Sequence, residues 1–233
     1  MTSAGKKISF AVGEGEGNGY LTGIEEGTQR QGTQRPGLIL VQEWWGLTEH
    51  IQRVADRFAG AGVVVLAPDL YNGKVAKDAG EAGHLMQSLN QEQALVMLDA
   101  AVAYLQQRAE VRADAIGVTG FCMGGSFALL LACRNSAVRA SAPFYGDVPS
   151  DDVLKDLNAS VLFIGAERDQ WITVEKMERL REAMHRYGKQ GEVVIYKGAD
   201  HAFFNDTRAE VYNREAAEDA WQRVVGFLKD NLA

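Results

Sequence analysis

AIGVTGFCMGGS, residues 115–126, decides the reading of this chain. Its first five residues are an apolar run that reads as a buried strand, and residues 126–133 read as a buried helix. Between them stands one nucleophilic side chain, Cys122, in the setting Gly120-Phe121-Cys122-Met123-Gly124-Gly125. A strand, a glycine-flanked nucleophile and a helix, in that order, form a nucleophile elbow. The turn is sharp, the nucleophile's backbone is strained, and a Cβ on either side would crowd the neighbouring strand or helix. Cysteine stands where such an elbow usually carries serine, so the attacking group is expected to be a thiolate.

Working outward, strand-like runs recur along the chain. Residues 7–12 and 20–24 are expected to pair as an opening hairpin. Further runs follow at 37–42 (GLILVQ), 63–67 (VVVLA), 115–119, 138–144, 161–165 (VLFIG) and 192–197 (EVVIYK). From the third onwards they are short, apolar on both faces and separated by helical segments. That alternation predicts an α/β fold, a mostly parallel twisted sheet of about eight strands with helices on both faces.

Thr48 is placed to cap a helix with the stripe Ile51, Val54, Ala55 and Phe58. Asn90 and Thr173 are placed to cap two more, and residues 79–88 read as a short helix. Thr207 with Glu210 reads as a capping box for the last helix, which buries Val211, Trp221, Val224 and Leu228. The glycine-rich stretch 13–19 lacks the last glycine of a dinucleotide-binding turn, carries two glutamates and reads as a hairpin loop. The doubled Thr-Gln-Arg at 28–30 and 33–35 is too short for an architectural repeat and is expected in a polar loop.

The bulk properties narrow the partners. The 233 residues suit one domain, 1–233, because composition does not shift along the chain. A net charge of -7 opposes binding to a phosphate backbone, so no nucleic-acid partner is expected. No apolar stretch approaches the roughly 20 residues of a membrane span, and the opening MTSAGKKISFAV has no apolar core of signal-peptide length. Two cysteines make no disulfide framework, which favours a cytoplasmic location. No clustered Cys and His suggest a metal, no cofactor is expected, and the chain is expected to be a monomer, with a dimer as the alternative.

A cysteine nucleophile needs a base, and the base needs an orienting acid. His50, His84 and His185 lie in helical segments, whereas His201 follows the last strand and a short turn. In a sheet hydrolase with this elbow the base occupies that loop, and the acid falls between nucleophile and base in chain order. Asp169, after VLFIG, is favoured over Asp147 after the preceding strand, and over Asp200, the sequence neighbour of His201. The stretch Gln42-Glu43-Trp44-Trp45-Gly46 lies where an oxyanion loop belongs, so the expected donors are the backbone N–H groups of Met123 and Trp44. Glu43 is a carboxylate at the end of a buried strand. Facing Cys122, it would keep the thiol protonated until substrate displaced it. Cys133 reads as apolar filler, and Lys74, Arg168 and Arg208 as surface charges.

Taken in order, VQEWWG, APDLY (67–71), GFCMGG, VLFIG with Asp169, and HAFFND (201–206) resemble the dienelactone hydrolase family of α/β-hydrolases over nearly the whole chain. The resemblance implies a triad of Cys122, His201 and Asp169, and a resting-state role for Glu43. Dienelactone-specific members hold the substrate carboxylate with two arginines, one just after the DLY segment and one shortly after the histidine. Here Asn72-Gly73-Lys74 and Ala202-Phe203-Phe204-Asn205 stand in those places. Lysine would offer a point charge rather than a bidentate fork. The expected substrate is therefore a small ester or lactone, more apolar or neutral, bordered by Trp44, Phe121, Tyr145, Trp171 and Phe203. The alternatives are a thioesterase or broad esterase with the same triad, and a non-catalytic ligand or redox sensor on the same fold.

Overall fold

A computed structural model describes residues 5–24 and 34–233. The first Thr-Gln-Arg, and Thr33 of the second, lie outside the described residues; Arg35 opens a strand. The strands are β1 (Lys6–Val12), β2 (Gly15–Thr22), β3 (Arg35–Val41), β4 (Val64–Pro68), β5 (Val111–Phe121), β6 (Val138–Phe144), β7 (Ser160–Ala166) and β8 (Gly191–Tyr196). They form one sheet in the order β1-β2-β4-β3-β5-β6-β7-β8. The first two strands pair antiparallel and β2 joins β4 antiparallel, while β3 to β8 run parallel. This is the α/β-hydrolase fold.

The helices are α1 (Glu49–Gly60), α2 (Ala79–Ser88), α3 (Gln91–Gln106), α4 (Met123–Arg134), α5 (Asp151–Leu154), α6 (Val174–Arg186) and α7 (Arg214–Asn231). The central strands are buried on both faces. Ile39 and Val41 join one core with Leu98, Leu129 and Leu180 of α3, α4 and α6; Leu38 and Leu40 join the other with Phe58 and Trp221 of α1 and α7. Alternate residues of a strand face opposite ways, so continuous apolar runs are what two covered faces require. Each such aliphatic side chain contributes about 1.5–3 kcal/mol on burial.

Two expectations need correction. Residues 15–19 are not a loop but the first half of β2, and only Gly13 and Glu14 turn the chain. The glycines are there for space: a Cβ on Gly19 would lie 2.8 Å from the Ala67 carbonyl oxygen of β4. Thr207 does not start the last helix. Asn213 caps α7, its side chain accepting the Ala216 N–H, and half-buried Val211 lies before the helix. The backbone N–H of Asn213 bonds to the Phe203 carbonyl, which keeps residues 201–212 as a separate run of turns. Thr48, Asn90 and Thr173 do cap α1, α3 and α6.

The connectivity places a crevice. From β3 the chain passes to β4 on one side, then returns across to β5 on the other. Ligands of open α/β sheets bind at the carboxyl ends of the strands where the order reverses in this way. Glu43 and Trp44 follow β3 there, and Cys122 follows β5.

Candidate active site

Cys122 is the single residue between β5 and α4, with φ 56° and ψ -117°. A non-glycine residue at such angles costs of order 1–3 kcal/mol and persists only where its surroundings enforce it. Here they do. The Cys122 N–H bonds to the Phe144 carbonyl of β6, and its own carbonyl accepts from Gly125 and Ser126. The first turn of α4 lies directly on the ends of β3 and β6. A Cβ on Gly124 would sit 2.3 Å from the Val41 carbonyl oxygen, and one on Gly125 would sit 2.4 Å from that of Phe144. The result holds the Cys122 side chain half-exposed at the head of a helix. Cys133 is buried at the far end of α4, and burial pushes its thiol up to about 12.

Asp169 follows β7 and has no exposed side-chain surface. One oxygen, Oδ1, accepts the N–H groups of Trp171 and Ile172, both at 2.9 Å. The other, Oδ2, lies 2.5 Å from His201 Nδ1. Two backbone donors therefore fix the carboxylate that orients the imidazole. The Cys122 side chain acts on the same imidazole, favouring its charged form. Burial alone would lower the His201 pKa, but the bonds and charges of Asp169 and Cys122 outweigh it and raise it to about 9. The competing acids do not take this place. Asp147 is exposed and pairs with Lys176 at 2.8 Å, and Asp200 is no partner of His201 among the described hydrogen bonds.

The N–H groups of Met123 and Trp44 have no hydrogen-bond partner among the described residues. Met123 follows the nucleophile, Trp44 follows the end of β3 on which the first turn of α4 lies, and both supporting segments are fixed. Tyr71 Oη lies 3.3 Å from Met123 Sδ, the Gly46 N–H bonds to the Glu43 carbonyl, and the Ala76 N–H bonds to that of Trp45.

Glu43 is 3% exposed, and its Oε2 accepts from Asn205 Nδ2 at 2.7 Å. Burial raises its pKa to about 7, against the lowering effects of Asn205, His201 and Arg208. Among the described hydrogen bonds the partner of the Glu43 carboxyl is the amide of Asn205. Arg208, expected to be an ordinary surface charge, also belongs here. Its guanidinium pairs with Glu210 at 2.8 Å, yet its charge reaches Glu43 and Tyr145.

The expected pocket residues divide into two groups. Trp171 is 68% exposed and meets the His201 ring edge-on, with ring centroids 5.1 Å apart. Trp44 is half-buried, 5.0 Å from the ring of Trp45, and α2 passes beside it. That helix buries only Ala82. Phe121, Tyr145 and Phe203 present no surface to a substrate. All three are fully buried and pack with Phe144, Phe204 and Tyr196 beneath the site. They are floor rather than wall. Sequence reasoning missed Asn205, and also His50, which is buried with Nδ1 3.0 Å from Asp206 Oδ1. Both contacts run through the HAFFND segment. The order of polar residues there could have pointed to them, but nothing in the sequence names their partners.

Known proteins resemble this chain along most of its length. The model of the "Dienelactone hydrolase family" matches residues 24–232. "Protein usf" of Aquifex pyrophilus is 34% identical over 206 residues, which cover 84% of this chain and 89% of the relative. "Probable 2-oxo-3-(5-oxofuran-2-ylidene)propanoate lactonase" of a Bradyrhizobium species is 34% identical over 211 residues, 84% of each chain. Among solved structures, "Putative Dienelactone Hydrolase" from Klebsiella pneumoniae superposes with a TM-score of 0.85 at 28% identity, covering 97% of this chain and 99% of that one.

Proposed function

The chain belongs to the dienelactone hydrolase family, and from that premise we propose that it hydrolyses a carboxylic ester or lactone through an acyl-enzyme on Cys122. The coarse activity, hydrolysis of ester or lactone bonds, follows from the family. The mechanism rests above all on one observation: His201 Nδ1 lies 2.5 Å from a fixed carboxylate, and the elbow cysteine acts on the same imidazole.

In the first half-reaction the Cys122 thiolate attacks the carbonyl carbon, and the oxygen takes up charge facing the N–H groups of Met123 and Trp44. Loss of one such donor typically costs about 100- to 1,000-fold in rate. The C–O bond breaks, the leaving alkoxide takes a proton from His201, and a thioester remains. In the second half-reaction His201 takes a proton from water, the hydroxide attacks the thioester, and the acid leaves as the thiolate is regenerated. Asp169 holds the imidazole in one tautomer and stabilises its charged form throughout.

The substrate is a neutral or apolar ester or lactone. Trp171 presents an unburied indole at the imidazole, and Trp44 stands on the oxyanion loop. Arg208, the cation whose charge reaches Glu43, is paired with Glu210. Lactone, aryl ester and thioester substrates of matched acyl group rank the preference. The mechanism is tested with Cys122→Ala, which keeps the fold and loses turnover of 4-nitrophenyl acetate. Undiminished hydrolysis by that variant refutes the covalent route.

A further inference from the structure

Asn205 takes no part in the steps above, yet its side chain is buried and hydrogen-bonded at both ends of the amide. It lies four residues beyond His201 and is 3% exposed. Its Oδ1 accepts two donors from Thr207, the N–H at 3.0 Å and the hydroxyl at 2.6 Å. Those two donors fix which end of the amide is oxygen, because a flipped amide would set its NH₂ against them. Nδ2 is therefore the end that meets Glu43, at 2.7 Å. The backbone of Asn205 is tied as well, its N–H to the Ala202 carbonyl and its carbonyl to the Arg208 N–H. Ala202, next to His201, holds φ 65°. The side-chain amide thus sits at a fixed offset from the imidazole and reaches the end of β3.

Glu43 has few other choices. The charged and titratable groups around it are His201, Arg208 and the buried Tyr145, and Tyr145 in turn also feels Cys122. A buried carboxylate stripped of its donor must find another, be protonated, or move. The donors left around it are the Tyr145 hydroxyl, the Arg208 guanidinium and the imidazole, and a carboxyl that turned to the imidazole would compete with Cys122 for it.

We infer that Asn205 is a positioning residue: its amide binds the Glu43 carboxyl to the His201-bearing loop, leaving the Cys122 thiol to His201. The inference deepens the proposed mechanism and rests on Cys122 and His201 being its reacting pair. It makes the amide–carboxyl bond the feature that matters, whichever side supplies the amide.

The experiment uses the full chain as Asn205→Ala, Asn205→Asp and the exchanged pair Glu43→Gln with Asn205→Asp. Iodoacetamide alkylation of Cys122 is followed against pH, with buried Cys133 silent, beside kcat/KM on 4-nitrophenyl acetate and a circular-dichroism melt. Removing the donor is expected to slow alkylation at neutral pH by about 10- to 100-fold, the scale of a misplaced reacting group, and to move the midpoint of the profile upward. The exchanged pair restores the bond with its polarity reversed, the amide now donating from the end of β3 to a carboxylate on the loop. It is expected to recover to within about 3-fold of the native rate, well inside the loss that a misplaced reacting group causes. The inference is overturned by a native alkylation midpoint in either folded single variant, or by an exchanged pair no better than Asn205→Asp alone. Either single variant suffices if the other does not fold. Alkylation reads the thiol directly, so absence of ester turnover in the native chain would count against the hydrolytic mechanism without deciding the role of Asn205.

Discussion

Replacing Glu43 by glutamine should make the protein's stability less dependent on pH, in one direction and over one window. Glutamine has nearly the same shape, and its Oε1 can still accept from Asn205 Nδ2, so the hydrogen bond at 2.7 Å has a successor. What disappears is the titration. In the folded protein the Glu43 pKa is raised from an ordinary 4.5 to about 7 because burial penalises the charge. The folded state therefore holds this proton more tightly than the unfolded state does. Its contribution is complete below about pH 4.5 and is lost as pH rises through about 7. At about 1.4 kcal/mol for each tenfold change in proton affinity, that loss comes to about 3 kcal/mol. The glutamine Nε2, left without an acceptor, lowers the variant by about 1–3 kcal/mol at every pH. The diagnostic quantity is thus the slope rather than the offset. Urea titrations followed by circular dichroism from about pH 4.5 to about pH 8.5 should show the variant gaining on the native chain by about 3 kcal/mol. In thermal melts of a chain this size the same gain is roughly 6–12 °C. A difference that stays flat with pH would show that Glu43 does not titrate against burial, and the reasoning would fail.

Gly124→Ala should abolish the folded elbow, because its Cβ would lie 2.3 Å from the Val41 carbonyl oxygen and both backbones are fixed. A loss well above the usual overpacking cost of about 1–3 kcal/mol is expected, read as a lowered melting temperature with esterase activity lost in parallel. Asn213→Ala should cost about 1 kcal/mol, or roughly 2–4 °C in melting temperature, since its side chain caps α7. An unchanged melt would return the start of that helix to Thr207.

The sheet was legible because its central strands are apolar on both faces. The segment 138–144 even has the expected bounds of β6, and 37–42 overlaps all but the first two residues of β3. The elbow was legible because few backbones require glycines on both sides of a nucleophile. The first half of β2 was not. Glycine has no strand propensity, and the demand for it comes from Ala67, far along the chain. The capping box at Thr207 failed for a related reason. Its motif is local, whereas the hydrogen bond from Asn213 to Phe203 that sets the helix start is tertiary. Within the site, positions relative to strand ends singled out Cys122, Asp169 and His201. Rank by aromatic character placed Phe121, Tyr145 and Phe203 against substrate, and packing put them below it. Asn205 lies within the HAFFND segment, but its partner Glu43 is 162 residues away in sequence, and the contact arises only where that segment folds back onto the end of β3.

The two sides of the crevice differ in what they owe to folding. Below the nucleophile, aromatic rings interlock with the sheet, and a change there disturbs everything. Beside Trp44 stands α2, a helix with one buried alanine. Apart from Leu85, which packs against the core, and Gly83, which faces Trp44, its remaining positions are exposed and open to variation at little energetic risk. Change along this helix can therefore alter the surroundings of Trp44 while the elbow beneath stays untouched.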